Sequence, residues 1–115
     1  MPFSRADVVL VLYPDSNLRT AKRRPAIVVQ ADQLQTGLPQ VVLAMISSNL
    51  SRAGHSSRVM ISQSSAEGQQ KGLRTDSVIM TDNLATVIDG EIDRVIGRML
   101  NSRALDDALR HTLAL

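Results

Sequence analysis

The chain has 115 residues, a mass of 12.5 kDa and a formal net charge of +2, so it is large enough for one domain with a modest core. Its residues are 43% hydrophobic but only 2% aromatic, so Val, Ile, Leu, Ala and Met must build that core. The absence of cysteine excludes a disulfide framework and cysteine metal ligands, and no apolar run approaches the roughly 18 residues that a membrane span needs.

The charge is unevenly distributed along the chain. Residues 1–80 carry nine cations and five anions, whereas residues 81–115 carry four cations and six anions. Arginine supplies 11 of the 13 cations, and its planar guanidinium matches phosphate oxygens better than an ammonium does. This pattern favours a polyanionic partner, with a solvated basic surface as the alternative. Met1–Arg5 lacks the apolar stretch of a signal peptide, so we expect a cytoplasmic protein that does not associate with membranes.

Three runs of apolar, β-branched residues predict the first three strands. They are Asp7–Tyr13, Pro25–Gln30 and Gln40–Ile46. The first run ends at the turn residues Pro14–Asn17, and a cation-rich loop follows it up to Arg24. Gly37 and Pro39 mark the connection between the second and third strands, which has room for one helical turn near residues 31–34.

A polar loop separates the third strand from the rest of the chain. This loop, Ser47–Arg58, is twelve residues long, and loops of that length tend to be functional or mobile. A short strand is expected next at Arg58–Ser62, followed by a Gly/Gln/Ser-rich segment up to Gly72. Further strands are predicted at Ser77–Thr81, Leu84–Ile88 and Val95–Met99, and the second of these either continues the first or pairs with it.

Only the C-terminal segment has a helical pattern. Ser102 can cap a helix there, and small or apolar residues recur after it at helical spacing. These residues are Leu105, Ala108, Leu109, Thr112 and Leu113. About six short strands and one terminal helix predict a mainly β fold, a small and strongly bent barrel in a single domain over residues 1–115.

The cations before the second strand, Lys22 to Arg24, run directly into a proline. Pro25 has a fixed φ, donates no N–H and pushes Arg24 into extended geometry. Because proline suits the first residue of a strand, we expect Arg24 at the mouth of that strand, with its guanidinium at a loop edge where it handles a phosphate. A solvated or ion-paired arginine is the alternative interpretation.

Six short motifs follow one another along the chain. They are Asp7-Val8-Val9, Arg24-Pro25-Ala26-Ile27-Val28-Val29, Ile46-Ser47-Ser48-Asn49, Gly72-Leu73-Arg74-Thr75-Asp76-Ser77-Val78, Asp82-Asn83-Leu84-Ala85-Thr86-Val87 and Ile96-Gly97-Arg98-Met99. In this order and spacing they resemble the MazF/PemK toxin endoribonucleases from about residue 6 to the C-terminal helix. The resemblance implies an SH3-like small barrel of the MazF/PemK/CcdB type. It also implies a homodimeric toxin that cuts single-stranded RNA, mRNA included, without metal or cofactor, and a cognate antitoxin that covers its RNA groove.

The resemblance implies catalytic roles for Arg24 and Ser47. In the family an arginine precedes the proline of the second strand, and a hydroxyl residue, usually threonine, opens the loop after the third. When a 2′-OH attacks the neighbouring phosphorus, a guanidinium at the phosphorane oxygens stabilises the developing charge, and a hydroxyl beside it can bond to the phosphate. Arginine surrenders a proton poorly, so no general base is assigned.

Other residues of the two polar loops and the later strands are predicted to contact RNA. They are Arg19, Lys22, Arg23, Ser48, Asn49, Arg52, Arg74 and Asp82. The chain departs from the family at Asn83 and Ala85, where relatives commonly carry glutamine and arginine, and at Met80, where some carry arginine. These departures leave a second hypothesis open, a non-enzymatic toxin on the same fold that poisons gyrase or only binds an antitoxin.

Overall fold

The computed structural model of the protein describes residues 3–61, 76–100 and 102–115, which form six strands and one α-helix. The strands are β1 (Asp7–Pro14), β2 (Ala21–Val28), β3 (Gln40–Ser47), β4 (Arg58–Ile61), β5 (Ser77–Ile88) and β6 (Ile92–Arg98), and the helix is α1 (Arg103–Leu113). Short 3₁₀ turns occupy Leu50–Arg52 and Asp89–Glu91. The predicted fold class, mainly β with a C-terminal helix, is confirmed.

All six strands belong to one antiparallel sheet in the order β4-β5-β3-β2-β1-β6. Because side chains alternate along each strand, the sheet buries apolar residues on both faces. One face forms the inner core, which consists of Val9, Val11, Tyr13, Ala26, Val28, Val41, Leu43, Met45, Val78, Met80 and Val87. The other face is covered by α1, whose Leu105 and Leu109 pack against residues such as Ile27 and Ile79.

The second strand begins earlier than expected, at Ala21 rather than at Pro25. Residues 21–25 pair with β1 alone, because the ladder between β2 and β3 spans only Ala26–Val28. Pro25 therefore lies where one side of the strand is unpaired, a position that tolerates a residue without an N–H. The prediction that Pro25 opens the strand is wrong, and Arg24 lies within β2.

The fifth strand joins the two segments predicted at Ser77–Thr81 and Leu84–Ile88 into one. Its ladder with β3 is interrupted, because Ala44 pairs with Leu84 whereas Met45 pairs with Met80. Residues 81–83 therefore bulge out of the ladder, an arrangement that bends a strand and re-aims its side chains. The sixth strand begins at Ile92 rather than at Val95. The Gly/Gln/Ser-rich segment expected up to Gly72 lies outside the described residues.

The C-terminal helix forms where the pattern predicts it. Ser102 occupies the capping position, but its side chain makes no cap hydrogen bond. The buried hydroxyl of Thr81 links sheet, loop and helix, since Oγ1 donates to Ser57 O at 2.6 Å and lies 2.8 Å from Thr112 Oγ1.

With 11 residues, α1 is far shorter than a membrane span, and the described ranges contain no helix that could make one.

Candidate active site

The candidate site lies at one end of the inner core. There, strands β2 and β3 each extend beyond the last core residue and continue to point side chains toward the same face. On β2 the row Val28, Ala26 continues to Arg24, and Arg24 pairs in register with Val11 of the inner core. On β3 the row that includes Met45 continues to Ser47. Because alternate residues share one face of a strand, the same face that builds the apolar core ends in a cation and a hydroxyl.

These ends enclose a cavity of about 150 Å³. It is lined by Pro14, Asp15, Ser16, Arg24, Met45, Ser47, Arg52 and Asn83. On this measure of volume, one water molecule needs roughly 10–15 Å³, so the space admits a group much larger than water. The two residues predicted to be catalytic, Arg24 and Ser47, thus share one small polar cavity, and Arg52 of the predicted RNA contacts joins them.

Arg24 is held at the cavity by an ion pair with Asp15. Its Nη2 donates to Asp15 Oδ1 at 3.0 Å, and the two side chains are 32% and 19% exposed. Its Nε is buried and has no hydrogen-bond partner among the residues that the structure describes. An unsatisfied buried donor costs on the order of 1–3 kcal/mol, so the Arg24 side chain is not fully satisfied by Asp15.

Asp15 is fixed by the loop between β1 and β2. Thr20 Oγ1 donates to Asp15 Oδ2 at 2.6 Å, and the Asp15 N–H donates to Thr20 O at 2.8 Å. Asn17 Oδ1 accepts from the backbone of the same loop. The Thr20 and Arg24 hydrogen bonds, with the charge of Lys22, hold the pKa of the Asp15 carboxyl below its usual value. This carboxylate is therefore ionised at neutral pH and has a defined position.

Ser47 is half-buried at the end of β3 and opens the loop to β4. Its Oγ accepts a hydrogen bond from the Asn49 N–H at 3.1 Å, which leaves the hydroxyl proton available to donate. Asn49 Oδ1 in turn accepts from the backbone and hydroxyl of Ser51, so it caps the following 3₁₀ turn. The neighbouring Ser48 is exposed.

The bulge in β5 brings Asn83 into the cavity. Tyr13 is fully buried, and its hydroxyl donates to Asn83 O at 2.6 Å. Burial raises the pKa of the Tyr13 phenol well above its usual value, so the hydroxyl remains a donor. Asn83 Nδ2 lies 3.6 Å from the sulfur of Met45. Through these contacts with Tyr13 and Met45, Asn83 is fixed against the inner core.

A second, larger cavity of about 420 Å³ continues the first along Asp15, Arg52 and Asn83. Asp82 lines it but is held in a fork, since Arg58 Nε and Nη2 donate to its two oxygens at 2.8 and 2.6 Å. This bond keeps the pKa of the Asp82 carboxyl below its usual value. Arg58 Nη1 also donates to Arg52 O at 2.7 Å, so the pair anchors the segment that presents Arg52.

Of the remaining predicted RNA contacts, those that the structure describes do not line the two cavities. Arg19 and Lys22 are exposed on the loop and strand that flank Asp15. Arg23 alternates with Arg24 and so faces the opposite side of β2, with its Nη1 3.6 Å from Asp93 Oδ2. Arg74 lies outside the described residues.

Three polar residues that line the smaller cavity, Asp15, Ser16 and Asn83, were not among the predicted site residues. A signal for Asp15 exists, because it follows Val11 and Tyr13 at the spacing of one strand face. Asn83 has no comparable signal, since its position depends on the bulge in β5. No group of three or more histidine, aspartate or glutamate side chains suited to a metal ion occurs within residues 3–61, 76–100 and 102–115.

The chain matches a described family over nearly its whole length. The matching family model is that of the PemK-like, MazF-like toxins of type II toxin–antitoxin systems, and it covers residues 4–114. Comparison with curated protein sequences found no match.

Solved structures of similar fold include three bacterial toxins. Mycobacterium tuberculosis toxin MazF-mt6 is 22% identical, with a TM-score of 0.72 over 95% of this chain and 97% of that chain. A mycobacterial endoribonuclease in complex with its cognate antitoxin is 18% identical, with a TM-score of 0.74 over 98% and 96%. MazF from Deinococcus radiodurans is 14% identical, with a TM-score of 0.70 over 98% and 97%. At these identities the structures establish a shared fold.

Proposed function

The chain belongs to the PemK-like, MazF-like toxins of type II toxin–antitoxin systems, and from that premise we propose that it is an endoribonuclease. It cuts single-stranded RNA, mRNA included, by attack of a ribose 2′-OH on the neighbouring phosphorus, and so stops translation and growth. The observation that carries this proposal is that Arg24 and Ser47 line one cavity.

The chemistry of the cavity suits a phosphodiester. Two guanidinium groups, those of Arg24 and Arg52, face one carboxylate, that of Asp15, so the described lining has an excess of positive charge. Arg24 uses Nη2 for its bond to Asp15, and a guanidinium has five N–H groups, so the same side chain can also donate to a phosphate oxygen. As the 2′-oxygen attacks, charge grows on the phosphorane oxygens, where a preorganised donor contributes about 3–4 kcal/mol. The Ser47 hydroxyl can donate a further hydrogen bond to the same group.

Charge stabilisation by side chains explains why this reaction needs no metal ion. The guanidinium of Arg24 is permanently charged and is already oriented by Asp15, so it can neutralise the phosphorane directly. The chain is therefore expected to cleave RNA in the presence of EDTA and to leave 2′,3′-cyclic phosphate and 5′-hydroxyl ends.

The protein is further proposed to act as a homodimer and to be held inactive by a cognate antitoxin. One of the similar structures is an endoribonuclease bound to its antitoxin. On this chain, large apolar side chains such as Leu18, Leu113 and Leu115 are at least half exposed, which is surface that partners can cover.

The proposal is tested by incubating the purified protein with a mixed RNA pool in EDTA and sequencing the new ends. New 5′-hydroxyl ends within a common sequence support it. Growth arrest with an intact RNA pool would instead identify a non-enzymatic toxin on the same fold.

A further inference from the structure

Among the described residues, the smaller cavity holds one group that can accept a proton from a ribose hydroxyl, and we propose that this group, Asp15, is the general base of the cleavage reaction. The inference rests on the proposed nuclease function. Asp15 lies in the cavity that contains Arg24 and Ser47, and its Oδ1 is 3.0 Å from Arg24 Nη2. A phosphate bonded to that guanidinium therefore places the adjacent 2′-OH next to this carboxylate.

The other residues that line the smaller cavity cannot take this role. Arg24 and Arg52 are already protonated, and the hydroxyl, amide, thioether and pyrrolidine side chains are not basic near neutral pH. Asp82 lines only the neighbouring cavity, and both of its oxygens accept hydrogen bonds from Arg58. His55 lies outside both linings, and its Nδ1 is 2.8 Å from Ser57 Oγ.

Asp15 also has the fixed position that proton transfer requires. Its two oxygens each accept one hydrogen bond, from Arg24 and from Thr20, and its N–H closes the loop onto Thr20 O. A carboxylate oxygen accepts more than one hydrogen bond, so both can still receive a proton from the substrate. The Thr20 and Arg24 hydrogen bonds lower the pKa of Asp15, so the carboxyl is ionised near neutral pH and readily returns the accepted proton to solvent.

The step balances without any further reactant. Asp15 takes the proton of the 2′-OH while the 2′-oxygen forms a bond to phosphorus. The bond between phosphorus and the 5′-oxygen then breaks, and that oxygen leaves with a proton from water in the open groove. The protonated carboxyl of Asp15 returns its proton to solvent, so the products are a 2′,3′-cyclic phosphate and a 5′-hydroxyl.

The decisive variant is Asp15→Asn, which keeps the acceptor for Arg24 but removes the basicity. Its cleavage rate should fall by about 10²–10⁴-fold. Its binding of an uncleavable oligonucleotide, with a 2′-deoxyribose at the cleavage site found in the RNA pool, should stay within threefold. The matched control is Asp107→Asn, an exposed carboxylate on α1 paired with Arg110, which should cleave at the wild-type rate.

The pH dependence separates a base from a residue that only positions Arg24. Within the described residues, the charged groups that face Asp15 are Lys22, Arg24 and Arg52. Histidine, the side chain whose ordinary pKa lies between about pH 6 and 8, is not among them. The wild-type rate should therefore be flat there, whereas the Asp15→Asn rate should rise about tenfold per pH unit because hydroxide replaces the base. Formate should restore activity to Asp15→Gly.

Three outcomes would overturn the inference. Cleavage by Asp15→Asn within threefold of wild type would show that the carboxylate takes no proton, while the nuclease function would stand. A slow Asp15→Asn variant with a flat pH profile, and no formate rescue of Asp15→Gly, would reduce Asp15 to a positioning residue. A wild-type protein that leaves the RNA pool intact would remove both the proposed function and this inference.

Discussion

The Arg24 guanidinium donates to Asp15 Oδ1 across 3.0 Å at the edge of the smaller cavity. The pair joins the start of the first loop to the middle of β2 and lies beyond the last apolar residues of the inner core. Because the contact uses one of the five N–H groups of the guanidinium, it orients Arg24 without exhausting its capacity to bind a phosphate. The sequence-based alternative of an ion-paired arginine and the hypothesis of a phosphate-binding arginine are therefore compatible.

Removal of the Ser47 hydroxyl tests the second member of the predicted pair. Ser47→Ala should lower the cleavage rate by about 10–150-fold, the equivalent of one hydrogen bond to a charged group of about 1.5–3 kcal/mol. Ser47→Thr retains the hydroxyl and should cleave within twofold of wild type. The measurement is a single-turnover assay on a labelled oligonucleotide, and full activity of the alanine variant would exclude Ser47 from the site.

Arg52 is expected to contribute a phosphate contact, because its side chain lines both cavities. Arg52→Ala should weaken RNA binding on all sequences. The slope of a plot of the logarithm of the RNA association constant against the logarithm of the salt concentration should become shallower by about one. Arg94→Ala, which removes an exposed arginine of β6 paired with Asp93, is the control. Titrations by fluorescence anisotropy at several salt concentrations measure both slopes, and equal slopes would contradict a phosphate contact by Arg52.

The attachment of α1 to the sheet depends on the buried hydroxyl of Thr81. Thr81→Val removes two hydrogen-bond contacts of this hydroxyl, to Thr112 Oγ1 and to Ser57 O, which keeps its bond from the Thr81 N–H. Each lost hydrogen bond is worth about 0.5–1.5 kcal/mol, so the two together are worth about 1–3 kcal/mol. The free energy of unfolding in urea should fall by that amount. Thr86→Val changes an exposed threonine of the same strand and should have almost no effect, so equal losses in both variants would refute the special role of Thr81.

The Arg58–Asp82 pair predicts how stability changes with pH. The folded-state pKa of Asp82 is lowered chiefly by the Arg58 hydrogen bond, so the pair stabilises the fold above the unfolded pKa of about 3.9. That contribution is lost as the pH falls through the lower, folded-state pKa. Asp82→Asn should therefore reduce the free energy of unfolding at pH 7 by about 0.5–1 kcal/mol. The difference from wild type should shrink below about pH 4, and urea titrations at both pH values provide the check.

Much of the fold follows from local sequence patterns. The β-branched runs of β1 and β3 and the apolar spacing of α1 identify those elements, because burial of one face requires that periodicity. Arg24 and Ser47 were predicted from the family resemblance, and the strand pattern is compatible with their place in one cavity, since each extends an apolar strand by one more inward position. The start of β2 could not be predicted from the local sequence. Pro25 is tolerated inside the strand only because β3 does not pair with that part of β2.

The rest of the site depends on contacts between distant parts of the chain. Arg58 and Asp82 are 24 residues apart, and their pairing follows from the register of β4 and β5. Asn83 enters the smaller cavity through a bulge that no local pattern marks. Asp15 directly follows Pro14, the last residue of β1, and belongs to a sequence typical of a turn. The turn residues therefore gave no indication that the Asp15 side chain lines the cavity.

The central claim, that the Arg24 guanidinium stabilises the transition state of RNA cleavage, is tested most directly by comparing wild type and Arg24→Ala on the same RNA in EDTA. Wild type should produce 2′,3′-cyclic phosphate ends, and Arg24→Ala should cut at least about 10²–10³-fold more slowly. Arg94→Ala serves as the control and should cut at the wild-type rate. Cleavage by Arg24→Ala at the wild-type rate, with the same end groups, would contradict the account.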